Sequence, residues 1–260
     1  MIVAAIIPAH NEAARVAKVL ETVLGTPGVD QIILVDDGST DGTAAVASKY
    51  ARVRVERLEK NRGKGGAMLH GASLAVDADV LLFLDADLIG LTSAHVCALI
   101  NPVVTGAADM ALGKFTGGRG ATDLAQFLVP FITGQRAIRR TLFQSIPDLD
   151  RVGFGIEMAI TLHVKAACRP VMTVLLPGVT HPMKEEKLGF IRGVRARGKM
   201  YAEMATFTLG YFCSGKARNA KTVSGDREAE LLATELNRTS QEVNDDALQQ
   251  PVPAPHQNQS

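Results

Sequence analysis

Asp85 and Asp87 stand one residue apart at the end of the apolar run VLLFL (80–84). Aspartate is a poor strand residue and is seldom buried without a partner. Alternation along an extended chain sends positions 85 and 87 to one side, which brings two like charges together. Such a pair costs energy unless a cation lies between the carboxylates or one of them takes a proton. Oxygen ligands suit Mg2+ or Mn2+, ions that keep waters and accept phosphate oxygens. The pattern points to a divalent ion held against a diphosphate.

Similar polar clusters recur along the first half. IVAAII (2–7) reads as a strand stopped by Pro8 and followed by His10, Asn11 and Glu12. QIILVDD (31–37) delivers Asp36 and Asp37, with Asp41 further on as a helix cap. EKNRGKGGAM (59–68) sets Lys64 among glycines, where it can meet a phosphate or a ribose near a helix N-terminus. Ligands of an open parallel sheet bind at the carboxyl ends of its strands. Neither a P-loop nor a G-x-G-x-x-G is present, and no Ser-His-Asp or H-E-x-x-H pattern is visible.

The elements that must position these groups alternate. Strands over 2–7, 31–37, 52–58 and 80–87 are separated by helices over 11–24, with Asn11 as cap, 40–50 and 63–75. This order predicts a single-domain α/β fold, a doubly wound, mostly parallel sheet with flanking helices. The second half is less regular. It reads as a helix over 94–104, a strand over 109–115, a glycine-rich loop over 117–123 and an apolar helix over 124–132. The segment 133–143 receives no element, and a helix over 153–167 and a strand over 171–179 follow. Residues 184–212 are basic and amphipathic, and 184–201 read as a docking helix with a solvated face in preference to a membrane-surface helix. Beyond Asn219 the polar tail has too little apolar surface to offset its ordering entropy and is expected to be disordered.

The 260 residues carry a net charge of +1, so no bulk field recruits nucleic acid, and anion binding must be local. Cys97, Cys168 and Cys213 read as buried small apolar residues of a reducing compartment. The N-terminus lacks a signal-peptide pattern and no run of about 18 apolar residues occurs, so the expected setting is cytoplasmic. A peripheral membrane contact and a homodimer stay open.

Taken together, IIPAHNE (6–12), ILVDDGSTDGT (33–43), NRGKGGAM (61–68) and FLDADL (83–88) resemble the family 2 glycosyltransferases of the GT-A fold. The resemblance implies a nucleoside-diphosphate sugar as donor. It puts Pro8, His10, Glu12, Asp36 and Asp37 near base and ribose and Lys64 near the donor. Asp85 and Asp87 match the D-x-D that holds metal and diphosphate. GGRGATDLAQFLVPFITGQRAIRR (117–140), GFGIEMAI (153–160) and LLPGVTH (175–181) are similar to glucosyl-3-phosphoglycerate synthases and their mannosyl relatives. That likeness implies an anionic acceptor, small or a lipid phosphate, met by Gly118, Arg119, Thr122, Gln135 and Arg136. It makes His181 the further metal ligand and places Glu157 with Asp87 among the catalytic carboxylates. Glu157 would otherwise cap its helix or pair with an arginine such as Arg136 or Arg139. The implied organisation is a donor half (1–115), an acceptor half with C-terminal helices (116–218) and the tail (219–260). Polyprenyl-phosphate sugar synthases share the first half and a G-x-R-A-x-R-R segment and are the close alternative. A nucleotidyltransferase would need a glycine-rich triphosphate loop that is missing near the N-terminus. An inactive nucleotide-binding module would not need the intact D-A-D.

Overall fold

The computed structural model describes residues 1–116, 133–149, 155–180 and 182. The loop and helix expected over 117–132, the residues Gly118, Arg119, Thr122 and His181, the basic segment and the tail lie outside the described residues.

Four βα units come first: β1 (Val3–Ala9), α1 (Val16–Leu24), β2 (Gln31–Asp36), α2 (Thr43–Ala47), β3 (Val53–Arg57), α3 (Gly63–Leu74), β4 (Val80–Phe83) and α4 (Ser93–Val104). They are followed by β5 (Met110–Thr116), β6 (Arg136–Arg139), α5 (Arg140–Gln144), α6 (Ile156–Ala166) and β7 (Val171–Pro177). The strands form one seven-stranded sheet in the order β3-β2-β1-β4-β6-β5-β7. β3, β2, β1 and β4 are mutually parallel, and β6 runs antiparallel to both β4 and β5. The sheet is thus mixed.

Period-two alternation builds a core on each face. Val3, Ala5 and Ile7 of β1 with Val80 and Leu82 of β4 face Val16, Val19 and Leu20 of α1 and Val96 and Leu99 of α4. Ala4, Ile6, Leu81 and Phe83 point the other way, toward Met68 and Ala72 of α3 and Ile156 and Ile160 of α6. α3 lies so close to the sheet that a Cβ at Gly71 would fall on Ile6 Cγ2. At the opposite edge from the carboxyl ends, Asp109 accepts Arg139 Nε at 2.9 Å and Arg169 Nε at 2.8 Å, which ties β6 to the chain entering β7.

Five expectations change. β1 runs through Pro8, which is registered opposite Val35 of β2. Ile6 O accepts Leu84 N on the β4 side and Ala9 O accepts Asp37 N on the β2 side. Pro8, two residues after Ile6, therefore faces the β4 side beyond the last registered pair, where a missing N–H removes no ladder bond. Asn11 does not cap α1; it takes a left-handed φ of 57° and bonds across to the next loop. β4 ends at Phe83, so Asp85 and Asp87 lie on the chain leaving it. The unassigned segment supplies β6 and α5. Cys97 is half-buried and Cys168 exposed, so neither is the core residue that its type suggested.

Candidate active site

The carboxyl edge of the sheet carries two constructions. On the β1–β2 side, the loops after the two strands are laced together. His10 Nδ1 donates to Asp37 O at 2.8 Å, which fixes the proton on that nitrogen. Asn11 N donates to Ser39 Oγ at 2.9 Å, and Thr40 N donates to Asn11 Oδ1 at 2.9 Å. Glu12 N donates to Thr43 Oγ1 at 2.9 Å. The Glu12 carbonyl accepts Arg15 N and Val16 N at the start of α1, and its carboxylate lies 3.9 Å from Arg15. Asp41 accepts Ala13 N on one oxygen and Thr43 N on the other, so it joins the loops as well as supporting the start of α2. Burial alone would raise the Asp41 carboxyl, but these bonds and the Thr43 hydroxyl hold it below its ordinary value.

Asp36 and Asp37 are both buried beneath these loops. Asp36 Oδ1 accepts Ser39 N at 3.0 Å, and its Oδ2 lies 3.5 Å from Arg57 Nε. Arg57 also donates to Ser39 O at 2.9 Å. Asp37 Oδ1 accepts Arg62 N at 2.7 Å, which anchors the turn into α3. Half-buried Pro8 and exposed His10 border this cluster.

The second construction joins four elements. Lys64, in the first turn of α3, places Nζ 2.5 Å from Asp85 Oδ1 and 2.7 Å from Glu157 Oε1 of α6. Gln135 Nε2 donates to Asp85 Oδ2 at 2.8 Å. Thr133 Oγ1 donates to Gly113 O at 2.6 Å and lies 3.1 Å from Gln135 Oε1, which orients the amide. Below this layer is Arg136, with 0% exposure. Its guanidinium donates to the Glu157 carbonyl at 2.8 Å, to Thr161 Oγ1 at 3.3 Å and to Thr133 O at 2.5 Å.

The electrostatics follow from this packing. Burial acts to lower Lys64, but the charges of Asp85 and Glu157 and their hydrogen bonds reverse that and leave it raised above its usual range. Burial pushes Arg136 down to about 10, against the opposing pull of Glu157 and Asp85, so it stays charged at neutral pH. Two cations and two carboxylates thus gather at the carboxyl edge, Arg136 fully buried and Lys64 and Asp85 partly exposed.

Asp85, one of the two carboxylates expected to hold a divalent ion, is met here by the Lys64 ammonium. Glu157 pairs through its carboxylate with Lys64; Arg136 takes only its backbone carbonyl, contrary to the arginine pairing considered above. Gln135 and Arg136 were expected to meet the acceptor, yet both are fully buried, because β6 is an inner strand between β4 and β5. Asp87 is half-buried on the turn after Asp85. Among the described residues no group of three or more His, Cys, Asp or Glu side chains is arranged to hold a metal.

Thr133 and Gly134 were missed. A Cβ at Gly134 would lie 2.5 Å from Lys64 Nζ and 2.6 Å from Asp85 Oδ2, so any other residue there would push the ends of these side chains aside. A glycine inside a polar segment that starts a strand was the available signal.

The strand order, with its polar carboxyl edge, defines an α/β fold of the GT-A type. Glucosyl-3-phosphoglycerate synthase from Mycobacterium tuberculosis superimposes with a TM-score of 0.61 at 23% identity, over 78% of this chain and 80% of that one. The chain belongs to Glycosyl transferase family 2, whose sequence profile matches residues 4–162. A dolichyl-phosphate beta-glucosyltransferase of Drosophila melanogaster is 41% identical over 97 residues, 32% of this chain and 29% of that protein. The sequence of the M. tuberculosis (strain ATCC 25618 / H37Rv) synthase is 27% identical over 197 residues, 62% of this chain and 60% of its own length. The chain therefore spans less than two thirds of the length of either curated relative. No helix among the described residues is long and apolar enough to cross a membrane.

Proposed function

We propose that the chain transfers a sugar from a nucleoside-diphosphate sugar to an anionic acceptor with the help of Mg2+ or Mn2+. The observation that carries this reading is the Lys64–Asp85–Glu157 cluster at the carboxyl edge, in a chain matched by the family profile. The laced β1–β2 loops offer the nucleoside a ledge bordered by Pro8, His10 and Glu12, which buried Asp36 and Asp37 support from beneath. Oxygen donors fit a hard ion, and the two Asp85 oxygens already draw hard partners, an ammonium and an amide. Asp85 and Asp87, with His181, would hold the ion, which when bound offsets charge on the departing diphosphate.

The residues of the chain do the rest. Lys64 brings a fixed positive charge to the donor side, at no reorganisation cost when charge develops. Glu157, paired with Lys64, accepts a hydrogen bond from a substrate hydroxyl and orients it. Gly118, Arg119 and Thr122 bind the acceptor anion through guanidinium and backbone N–H groups. Support for a phosphate-bearing acceptor comes from the M. tuberculosis synthase, solved in complex with phosphoglyceric acid and, in another crystal, with Mn2+, UDP-glucose and phosphoglyceric acid. The test is transfer from radiolabelled UDP-glucose and GDP-mannose, with Mn2+, to 3-phosphoglycerate, glycerol 3-phosphate or a polyprenyl phosphate. A labelled product with any of the three, lost in EDTA, is expected. Release of inorganic diphosphate in place of a nucleoside diphosphate, or equal transfer in EDTA, overturns the reading.

A further inference from the structure

We propose that Arg136 is a positioning residue: its buried guanidinium sets the distance between the Asp85 and Glu157 carboxylates and so holds Lys64 between them. Three of its donor contacts go to two different pieces of chain. Nη2 donates to Thr133 O, at the turn whose Gln135 holds Asp85. Nη1 donates to the Glu157 carbonyl and to Thr161 Oγ1, one helical turn apart on α6. Thr161 Oγ1 itself donates to the Glu157 carbonyl at 2.9 Å, so the first turn of α6 is gripped from both sides. One planar fork thereby fixes the turn bearing the amide partner of Asp85 relative to the helix bearing Glu157.

Stability alone does not account for this arrangement. Arg136 Nε is buried without a hydrogen-bond partner among the described residues, and a desolvated cation in an inner strand is a costly way to fill space. An apolar side chain would pack β6 between β4 and β5 at least as well. What it could not do is hold two backbone carbonyls at a fixed separation. Precision is needed there because Gly134 passes so near Lys64 and Asp85 that a Cβ on it would meet both, so a shift of either piece bears on the ion cluster. Arg136 reaches no solvent and touches no substrate; it acts through Lys64 and Glu157.

The kinetic arm of the test rests on the proposed function, and the labelling arm does not. Reductive methylation with formaldehyde and cyanoborohydride, read by peptide mass spectrometry, reports how firmly Lys64 is held, with exposed Lys18 and Lys49 as internal standards. In the wild type Lys64 is expected to label more slowly than both. Arg136→Lys keeps the charge but cannot span both carbonyls. Its Lys64 labelling relative to the standards should rise about tenfold, and kcat should fall by about that factor with donor KM within about twofold, as expected when a reacting group is misplaced by a fraction of an ångström. Thr161→Val, which removes one acceptor and keeps the guanidinium, should move both readouts the same way by a smaller factor. It serves if Arg136→Lys fails to fold. In the double variant with Lys64→Met, the Arg136→Lys loss in kcat should disappear, because both changes act through one unit. A purely structural role would instead lower the melting temperature, raise all lysine labelling together and leave kcat losses multiplicative; that result overturns the proposal. If the wild type transfers no sugar, the functional reading falls, and the labelling ratio still decides the role of Arg136.

Discussion

The two constructions at the carboxyl edge are built on opposite principles. The β1–β2 loops are held by short side chains and backbone groups of two neighbouring connections, with Ser39, Asn11, Asp41 and Thr43 each closing a gap of one hydrogen bond. The Lys64 cluster is held by charged side chains from α3, the chain after β4 and α6, with the Gln135 amide from the residue before β6. The first resembles a moulded surface, in which each bond is modest and replaceable. The second is a balance of charges over a buried arginine, where removing one member leaves another uncompensated. The difference teaches where to expect graded effects and where to expect collapse of activity.

The largest effect is expected at Asp87. Asp87→Ala should cut turnover roughly 10²-fold or more in Mn2+, since a lost charge stabiliser in an active site costs several kcal/mol. Turnover by the variant equal to wild type would erase the contrast between the two constructions. Gly134→Ala comes next. Its Cβ, built 2.5 Å from Lys64 Nζ, must displace the ion cluster. Overpacking of this kind costs about 1–3 kcal/mol, and we expect a drop of that size in chemical denaturation together with a clear fall in kcat. An unchanged kcat would show that the cluster tolerates displacement.

On the moulded side, Ser39→Ala removes the acceptor of Asn11 N. A hydrogen bond of this type is worth about 1 kcal/mol, so donor affinity should weaken about fivefold, read by calorimetry with UDP, and kcat should hold. A hundredfold loss would mean that this ledge too is an all-or-none unit. The smallest effect is at Asp41, exposed and with its carboxyl held below the ordinary value of 3.8. A depressed folded pKa adds stability that is present above the unfolded value and lost as pH falls through the folded one. Asp41→Asn should therefore flatten the decline in melting temperature below about pH 4 and leave it less changed in slope at neutral pH. A decline as steep as that of the wild type would show that Asp41 contributes nothing to acid sensitivity.

The same contrast explains what the sequence disclosed. The βα alternation of residues 2–104 was legible because each strand is a short apolar run bounded by turn residues, and β1 to β4, α3 and α4 appear close to the expected places. The misses in that half are terminal. Pro8 looked like a stop, yet it falls where the neighbouring strand has already ended. The apolar residues after Phe83 looked like strand, yet the sheet releases the chain there. β6 was hidden because R-A-I-R-R carries charges that suggest a solvated segment. Arg136 defeats that rule by finding backbone carbonyls inside the fold, and Arg139 does so by finding Asp109. The partners of Lys64 were hidden for a related reason. Asp85 and Glu157 are 21 and 93 residues further along, and no local pattern encodes a contact made through tertiary packing.

The position of β6 has a consequence for how the molecule assembles. It is the sixth strand in the chain, yet it sits between the fourth and the fifth in the sheet. A growing chain that has placed β1 to β4 presents an open β4 edge, and β5 has no neighbour on that edge until residues 136–139 arrive. The β3-β2-β1-β4 half can therefore close early, from nearby βα units, whereas the β6-β5-β7 half joins only in one later step that carries a larger loop-closure cost. Hydrogen-exchange pulse labelling during refolding should show amides of β1 and β2 protected before those of β5 and β7. Since Lys64 meets Glu157 only after that step, the ion cluster forms last, as the seal on a sheet already made.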